Sequence, residues 1–225
     1  MADAENDEPP LPPWEKKERE KQTMFQTAGL LLGAVGAAVG VISLWRAVQN
    51  DKRQEVPAQR KINPGDHVLL VGDSIGQGIE KPLAEKLGVF GAHLTSLVSQ
   101  GATASTWASK VNSGDAGFDL ILLSLGSNDA AGNPSAQAGA LDKLLEVLRS
   151  RGAPVYWIRP PSFRREGLTN KQETWRQMLE DRGVPELELL GAQPDTSSDP
   201  QHIHLTPNGY NVMAAQVADA LIRYE

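Results

Sequence analysis

The chain contains no cysteine, which excludes disulfides, thiolate metal sites and a cysteine nucleophile. It has no G-x-x-x-x-G-K-[ST] loop, so a P-loop is excluded. No G-x-G-x-x-G stands in register after a strand, and no acid closes the second strand, so little supports a dinucleotide site. A basic surplus is also missing. Formal net charge is −6; residues 1–61 carry nine acids and nine bases, and 62–225 carry nineteen acids and thirteen bases. The acidic excess lies wholly in the second part, which argues against a nucleic-acid-binding surface. There is no internal repeat and no insertion long enough for a lid. What is present is 225 residues, 40% of them hydrophobic, enough for one α/β domain with an appendage.

Residues 1–21 are acidic, then proline-rich, then densely charged, with too little apolar surface to offset the entropy of ordering. From Gln22 to Trp45 no residue is charged. At the helical rise this run exceeds the hydrocarbon thickness of a bilayer and reads as a single transmembrane helix. Trp45 and Arg46 stand where an interfacial aromatic and a headgroup anchor belong. Three alternatives compete. A cleaved signal peptide fits less well because 21 largely acidic residues precede the run. A buried core helix fits less well because a charged spacer follows, and packing inside an oligomer without lipid is the third. Gly29, Gly33, Gly36 and Gly40 share one helix face, a small-residue stripe suited to self-association. Basic residues flank the run on both sides, so the side of the membrane bearing the domain is undetermined. Residues 46–63 read as a solvated spacer.

Residues 64–225 alternate strand and helix. His67 to Val71 and Leu120 to Leu125 are continuous apolar runs, the pattern of strands buried on both faces. Ala92 to Val98, Val155 to Ile158 and Glu186 to Leu190 are further strands. Helices are expected at 79–87, 103–111, 136–151, 170–182 and 207–223. The 136–151 segment shows an apolar i, i+3, i+4, i+7 stripe, and Pro207 stands at a helix start. Strands separated by helices predict an α/β fold with a mostly parallel sheet between two helical layers.

In such sheets function collects at the carboxyl ends of the strands. There the sequence places Gly72-Asp73-Ser74, then Ser99-Gln100-Gly101, then Gly126-Ser127-Asn128-Asp129. Near the C-terminus lies Asp199-Pro200-Gln201-His202-Ile203-His204-Leu205-Thr206-Pro207-Asn208-Gly209-Tyr210. Taken singly, each is an ordinary turn. Together and in this order they place a serine, a glycine, an asparagine and a histidine on one rim.

The blocks VGDSIGQG, SQGATAST, LGSNDA and HLTPNGY resemble those of the SGNH (GDSL-type) hydrolase superfamily, in the family's order, over about 62–225. The resemblance implies a three-layer α/β/α fold, flavodoxin-like in its central sheet, and hydrolysis or transfer of ester groups without metal or other cofactor. It makes Ser74 the nucleophile and His204 the general base. It makes the backbone N–H groups of Ser74 and Gly101 and the side-chain amide of Asn128 the oxyanion hole. One position departs from the family: its aspartate three residues before the histidine is here Gln201. Either Asp199 supports His204 across a two-residue insertion, which is the favoured reading, or His202 is the base, or a serine–histidine dyad works with a backbone carbonyl. His202, His204 and Asp199 could instead hold a metal, but no fourth protein ligand suggests itself. His67 and His93 read as structural.

Arg159, Arg164 and Arg165 surround the turn after the fourth strand, and Arg159 is the candidate contact to an anionic or sugar-like substrate. Trp107 and Trp157 could stack on a sugar, with core packing as the plainer reading. The expectation is a membrane-anchored serine esterase acting on acyl or acetyl esters of envelope glycan or lipid, with O-acetyl transfer as a variant. The alternatives are a non-catalytic glycan-binding or structural membrane component of the same fold and, further off, a nucleotide-binding protein.

Overall fold

The computed structural model describes residues 60–111, 117–162, 167–191, 194–196 and 203–222. Four strands form one wholly parallel sheet: β1 (His67–Gly72), β2 (His93–Val98), β3 (Leu120–Ser124) and β4 (Val155–Trp157), in the order β2-β1-β3-β4. Among the described residues six helices accompany it: α1 (Ser74–Phe90), α2 (Ala104–Lys110), α3 (Ser127–Ala131), α4 (Ala138–Arg149), α5 (Leu168–Glu180) and α6 (Pro207–Leu221). A 3₁₀ turn, Pro134–Gln137, leads into α4.

The strand period sorts two cores onto the two faces of the sheet. Val68 and Leu70 face Ile75, Ile79, Leu83 and Leu87 of α1 and Met213, Val217 and Leu221 of α6. Leu69 and Val71 face Trp107 of α2, Leu141, Leu144 and Leu148 of α4, and Trp175 of α5. Every residue of β3 is buried, as a strand covered on both faces requires. The result is the expected α/β/α sandwich, with β1 central and its carboxyl end between α1 and the turn after β2.

Three elements differ from the sequence expectation. Helix α1 begins at Ser74 instead of Ile79, although Gly76, Gly78 and Pro82 lie within it. Those three residues cost a helix about 5 kcal/mol together. Burial of its four aliphatic side chains, at about 1.5–3 kcal/mol each, outweighs that. Asp73 then fixes the start, its side chain accepting the Ile75 N–H at 2.9 Å. Residues 127–131, read as a turn, form the short helix α3. The expected strand 186–190 is a single bridge, Trp157 to Glu186, flanked by hydrogen bonds from Trp157 N to Pro185 O and from Leu187 N to Trp157 O. Of that segment Leu187 is buried in the core and Leu189 packs partly against it, while Leu190 is 75% exposed.

The final stretch of the expected spacer is part of the domain. Ile62 is buried, bridges Ile222, and donates its N–H to Leu221 O at 2.9 Å. Arg60 Nη1 donates to Asp119 O at 2.5 Å and Arg60 N to the Tyr156 hydroxyl at 2.8 Å. Residues 60–66 therefore run as a strap along the amino edge of the sheet. Among the described residues no helix is long and apolar enough to cross a membrane. The expected span 22–45, with Gly29, Gly33, Gly36 and Gly40, lies outside the described residues.

Candidate active site

Ser74 is the first residue of α1, where the chain turns sharply out of β1. Gly72 makes that turn possible, because a Cβ there would lie 3.0 Å from Ser124 O and 3.1 Å from the Gly76 backbone. Asp73 caps the helix while wholly buried. Ser74 Oγ lies 3.1 Å from His204 Nε2, within reach for proton transfer between hydroxyl and imidazole.

His204 is placed by the residues around it. Leu205 and Ile203 are buried on either side, and Leu205 pairs with Thr196 in an antiparallel bridge. Thr206 donates its N–H to Asp195 O at 2.9 Å and caps α6, its hydroxyl accepting the Gly209 N–H at 2.9 Å. Gly209 must lack a Cβ because Asp195 O occupies that space. Asp199, Gln201 and His202 lie outside the described residues, as do Arg164 and Arg165. Among the described residues no group of three or more metal-ligating side chains occurs.

The other expected members line the same rim. Gly101 adopts φ +74° in the turn after β2, a conformation that favours glycine. Asn128 sits in the first turn of α3, and its Nδ2 donates to Ala102 O at 3.1 Å. A carboxamide has two N–H bonds, and one of them anchors Asn128 to the Gly101 turn. Asp129 Oδ1 accepts the Ala104 N–H at 3.0 Å, a second tie between the same two segments. Gly126, at φ +126°, starts α3 against the indole of Trp175, which fills the place of a Cβ.

Two buried carboxyls were not foreseen as a pair. Asp73 and Asp129 are 0% and 1% exposed, and the Oδ2 of each has no hydrogen-bond partner. Burial pushes Asp73 up to about 6, against the Ile75 N–H, which pulls it down; the nearby charge of Asp129 pushes it further up. Burial likewise pushes Asp129 up to about 6, against the Ala104 N–H. The only signal in the sequence is an acid beside each functional residue, Asp73 before Ser74 and Asp129 after Asn128.

Arg159 does not join Ser74 or His204. Its guanidinium pairs with Glu173 at 3.8 Å and Glu186 at 3.7 Å. The two rim tryptophans belong to the core: Trp107 and Trp157 are 6% and 1% exposed, and their indole N–H groups donate to Gly72 O at 3.0 Å and Leu125 O at 2.7 Å. Neither offers a face to a sugar. His67 and His93 face each other across β1 and β2 at the amino edge, ring centroids 4.9 Å apart, remote from the rim.

No family model matches the chain, and no curated protein does. Solved structures do. A protein from Slackia heliotrinireducens classed as an SGNH hydrolase is 17% identical, with TM-score 0.54 over 69% of this chain and 98% of the other. The psychrotrophic esterase EstA from Pseudoalteromonas is 15% identical, with TM-score 0.54 over 69% and 96%. The catalytic domain of a Streptococcus pneumoniae peptidoglycan O-acetyltransferase is 16% identical, with TM-score 0.50 over 71% and 94%.

Proposed function

We propose, from the SGNH hydrolase fold that this chain has, that it is a serine esterase, held at a membrane by residues 22–45 and acting on acyl or acetyl esters. The observation that carries the reading is the 3.1 Å approach of Ser74 Oγ to His204 Nε2 at the head of α1.

Ser74 Oγ attacks the ester carbonyl carbon while His204 Nε2 takes the hydroxyl proton. The carbonyl oxygen becomes an oxyanion facing the N–H groups of Ser74, Gly101 and Asn128. Collapse expels the alcohol, which receives its proton from His204 and leaves an acyl-Ser74 ester. A water molecule, deprotonated by the same imidazole, attacks that ester, and the imidazolium returns the proton to Ser74 Oγ as the acid leaves. An alcohol in place of water turns hydrolysis into acyl transfer, the activity named for the pneumococcal relative. In this reading Asp199 orients the histidine ring.

The test is turnover of p-nitrophenyl acetate by the full-length chain, beside Ser74→Ala, His204→Ala and His202→Ala. Loss of at least about 10³-fold in kcat for the first two alone supports the mechanism. Loss in Ser74→Ala and His202→Ala, with His204→Ala active, would make His202 the base. A chain that neither hydrolyses the ester nor reacts with a fluorophosphonate serine probe is a non-catalytic module.

A further inference from the structure

His67 and His93 take no part in the rim, yet the sheet sets them side by side. They are directly opposite residues of β1 and β2 in the parallel register, so their side chains leave one face of the sheet from backbones about 4.8 Å apart. Both residues are exposed. Their ring centroids stand 4.9 Å apart with the planes tilted by 49°.

The backbone fixes this placement. His93 N donates to Asp66 O at 2.9 Å, Asp119 N to His67 O at 2.8 Å, and His67 N to Asp119 Oδ2 at 2.9 Å. Each ring therefore hangs from a tied residue, with its own side-chain torsions left to adjust. Asp66 and Asp119 share one guanidinium, Arg60, which lies 3.4 Å from each. The His67 N–H, first, and then Arg60 hold Asp119 below the ordinary carboxylate range. Two carboxylates against one guanidinium leave a negative surplus beside the rings, which favours a cation there.

The separation of the rings is that of imidazoles on a common ion. Bonds of about 2.1 Å to one metal, at N–metal–N angles of about 90–109°, put the ring centres about 4.5–5.3 Å apart. The observed 4.9 Å falls inside that window, so both rings can reach one ion by side-chain rotation without moving a strand. Asp119 does not complete a three-ligand group, because its Oδ2 accepts the His67 N–H and its Oδ1 faces Arg60. Water fills the remaining positions. Two imidazoles open to solvent suit Zn²⁺, Ni²⁺ and Cu²⁺; Mg²⁺ and Ca²⁺ require oxygen ligands.

We propose that His67 and His93 form a divalent transition-metal site that clips β2, the outermost strand of the described sheet, to β1. The site lies at the opposite end of β1 from Ser74, and nothing in it depends on the esterase reading.

The test uses the full-length chain carrying His202→Asn, so that the other His-x-His pair supplies no site, in metal-free detergent buffer at pH 7.5. Zn²⁺ is titrated by calorimetry and Cu²⁺ by electron paramagnetic resonance. One Zn²⁺ should bind with a Kd of about 10 μM, Cu²⁺ should bind more tightly, and the copper spectrum should show two nitrogen ligands. His67→Asn and His93→Asn should each weaken Zn²⁺ about 10²-fold, since the second imidazole binds as an intramolecular ligand. The double substitution should add little to either single one, the mark of one ion shared by two rings. Zn²⁺ should also raise the melting temperature of the parent and of neither variant. In EDTA the variants should melt with the parent, because both rings are exposed; where His67→Asn does not fold, His93→Gln decides. Absence of Zn²⁺ binding, an affinity that survives either substitution, or losses that add in the double variant overturns the proposal.

Discussion

Tyr210 lays its ring on the backbone of α1 at Gly78, in the space a Cβ would fill. Gly78 lies one turn beyond Ser74, and Tyr210 lies six residues beyond His204. The contact therefore fixes how closely the helix carrying the hydroxyl approaches the helix that follows the imidazole.

Gly78→Ala tests that spacing. Alanine favours a helix interior by about 1 kcal/mol over glycine, but forcing a methyl into a filled site costs about 1–3 kcal/mol. The overpacking wins, so the melting temperature should fall, and kcat on p-nitrophenyl acetate should drop about tenfold or more as His204 withdraws. A variant both more stable and fully active would show that Tyr210 moves aside freely.

Asn128→Ala removes the amide that the proposed mechanism directs at the oxyanion, and kcat should fall about 10²–10³-fold with little change in KM. Asn128→Asp is the sharper variant, since a carboxylate donates nothing and brings a charge to the oxyanion; it should be at least as impaired. If Asn128→Asp retains turnover, the donor lies elsewhere on the rim.

Asp129→Asn should change how stability depends on pH. Asp129 and Asp73, each at about 6 when folded against 3.8 ordinarily, bind protons more tightly in the native state than in the unfolded chain. Stability therefore falls as pH rises from about 4 to about 6 and stays reduced above that. Asparagine keeps an oxygen for the Ala104 N–H and removes the charge. At pH 7.5 the variant should gain on the order of 2 kcal/mol, and that gain should shrink toward pH 4. Denaturant unfolding at several pH values reads it directly; a gain independent of pH would contradict the burial argument.

Ile62→Ala should cost about 2–5 kcal/mol, the range for emptying a closed aliphatic site. A loss within the noise of a solvated side chain would mean that the strap is not held in solution.

The strands of the central sheet were legible because HVLLV and LILLSL are buried on both faces and need no other pattern. The start of α1 was not. Gly76, Gly78 and Pro82 argue locally against a helix; burial of Ile75, Ile79, Leu83 and Leu87 against α6 and the sheet, with Asp73 as cap, makes one there, and Tyr210, which fills the space at Gly78, comes from 132 positions further along. The order of Ser74, Gly101, Asn128 and His204 along the rim could be read from strand ends; their tie through Asn128 to Ala102 could not. Arg159 was visible at the end of β4, but Glu173 and Glu186, which cancel its charge, arrive from α5 and from the segment beyond it. A single strand end carries no sign of them. The burial of Asp73 and Asp129 is likewise a product of three converging turns.

The strap has a mechanical consequence. Force applied to the chain ahead of Arg60 reaches the domain at the edge opposite Ser74, about 20 Å away along the six residues of β1. It loads Arg60 against Asp119 and Tyr156, and Ile62 against Leu221 and Ile222, before it loads the sheet. The strap would peel first, as a fuse does. A pull from that side is taken up by the strap while the rim around Ser74 and His204, at the other end of β1, keeps its shape.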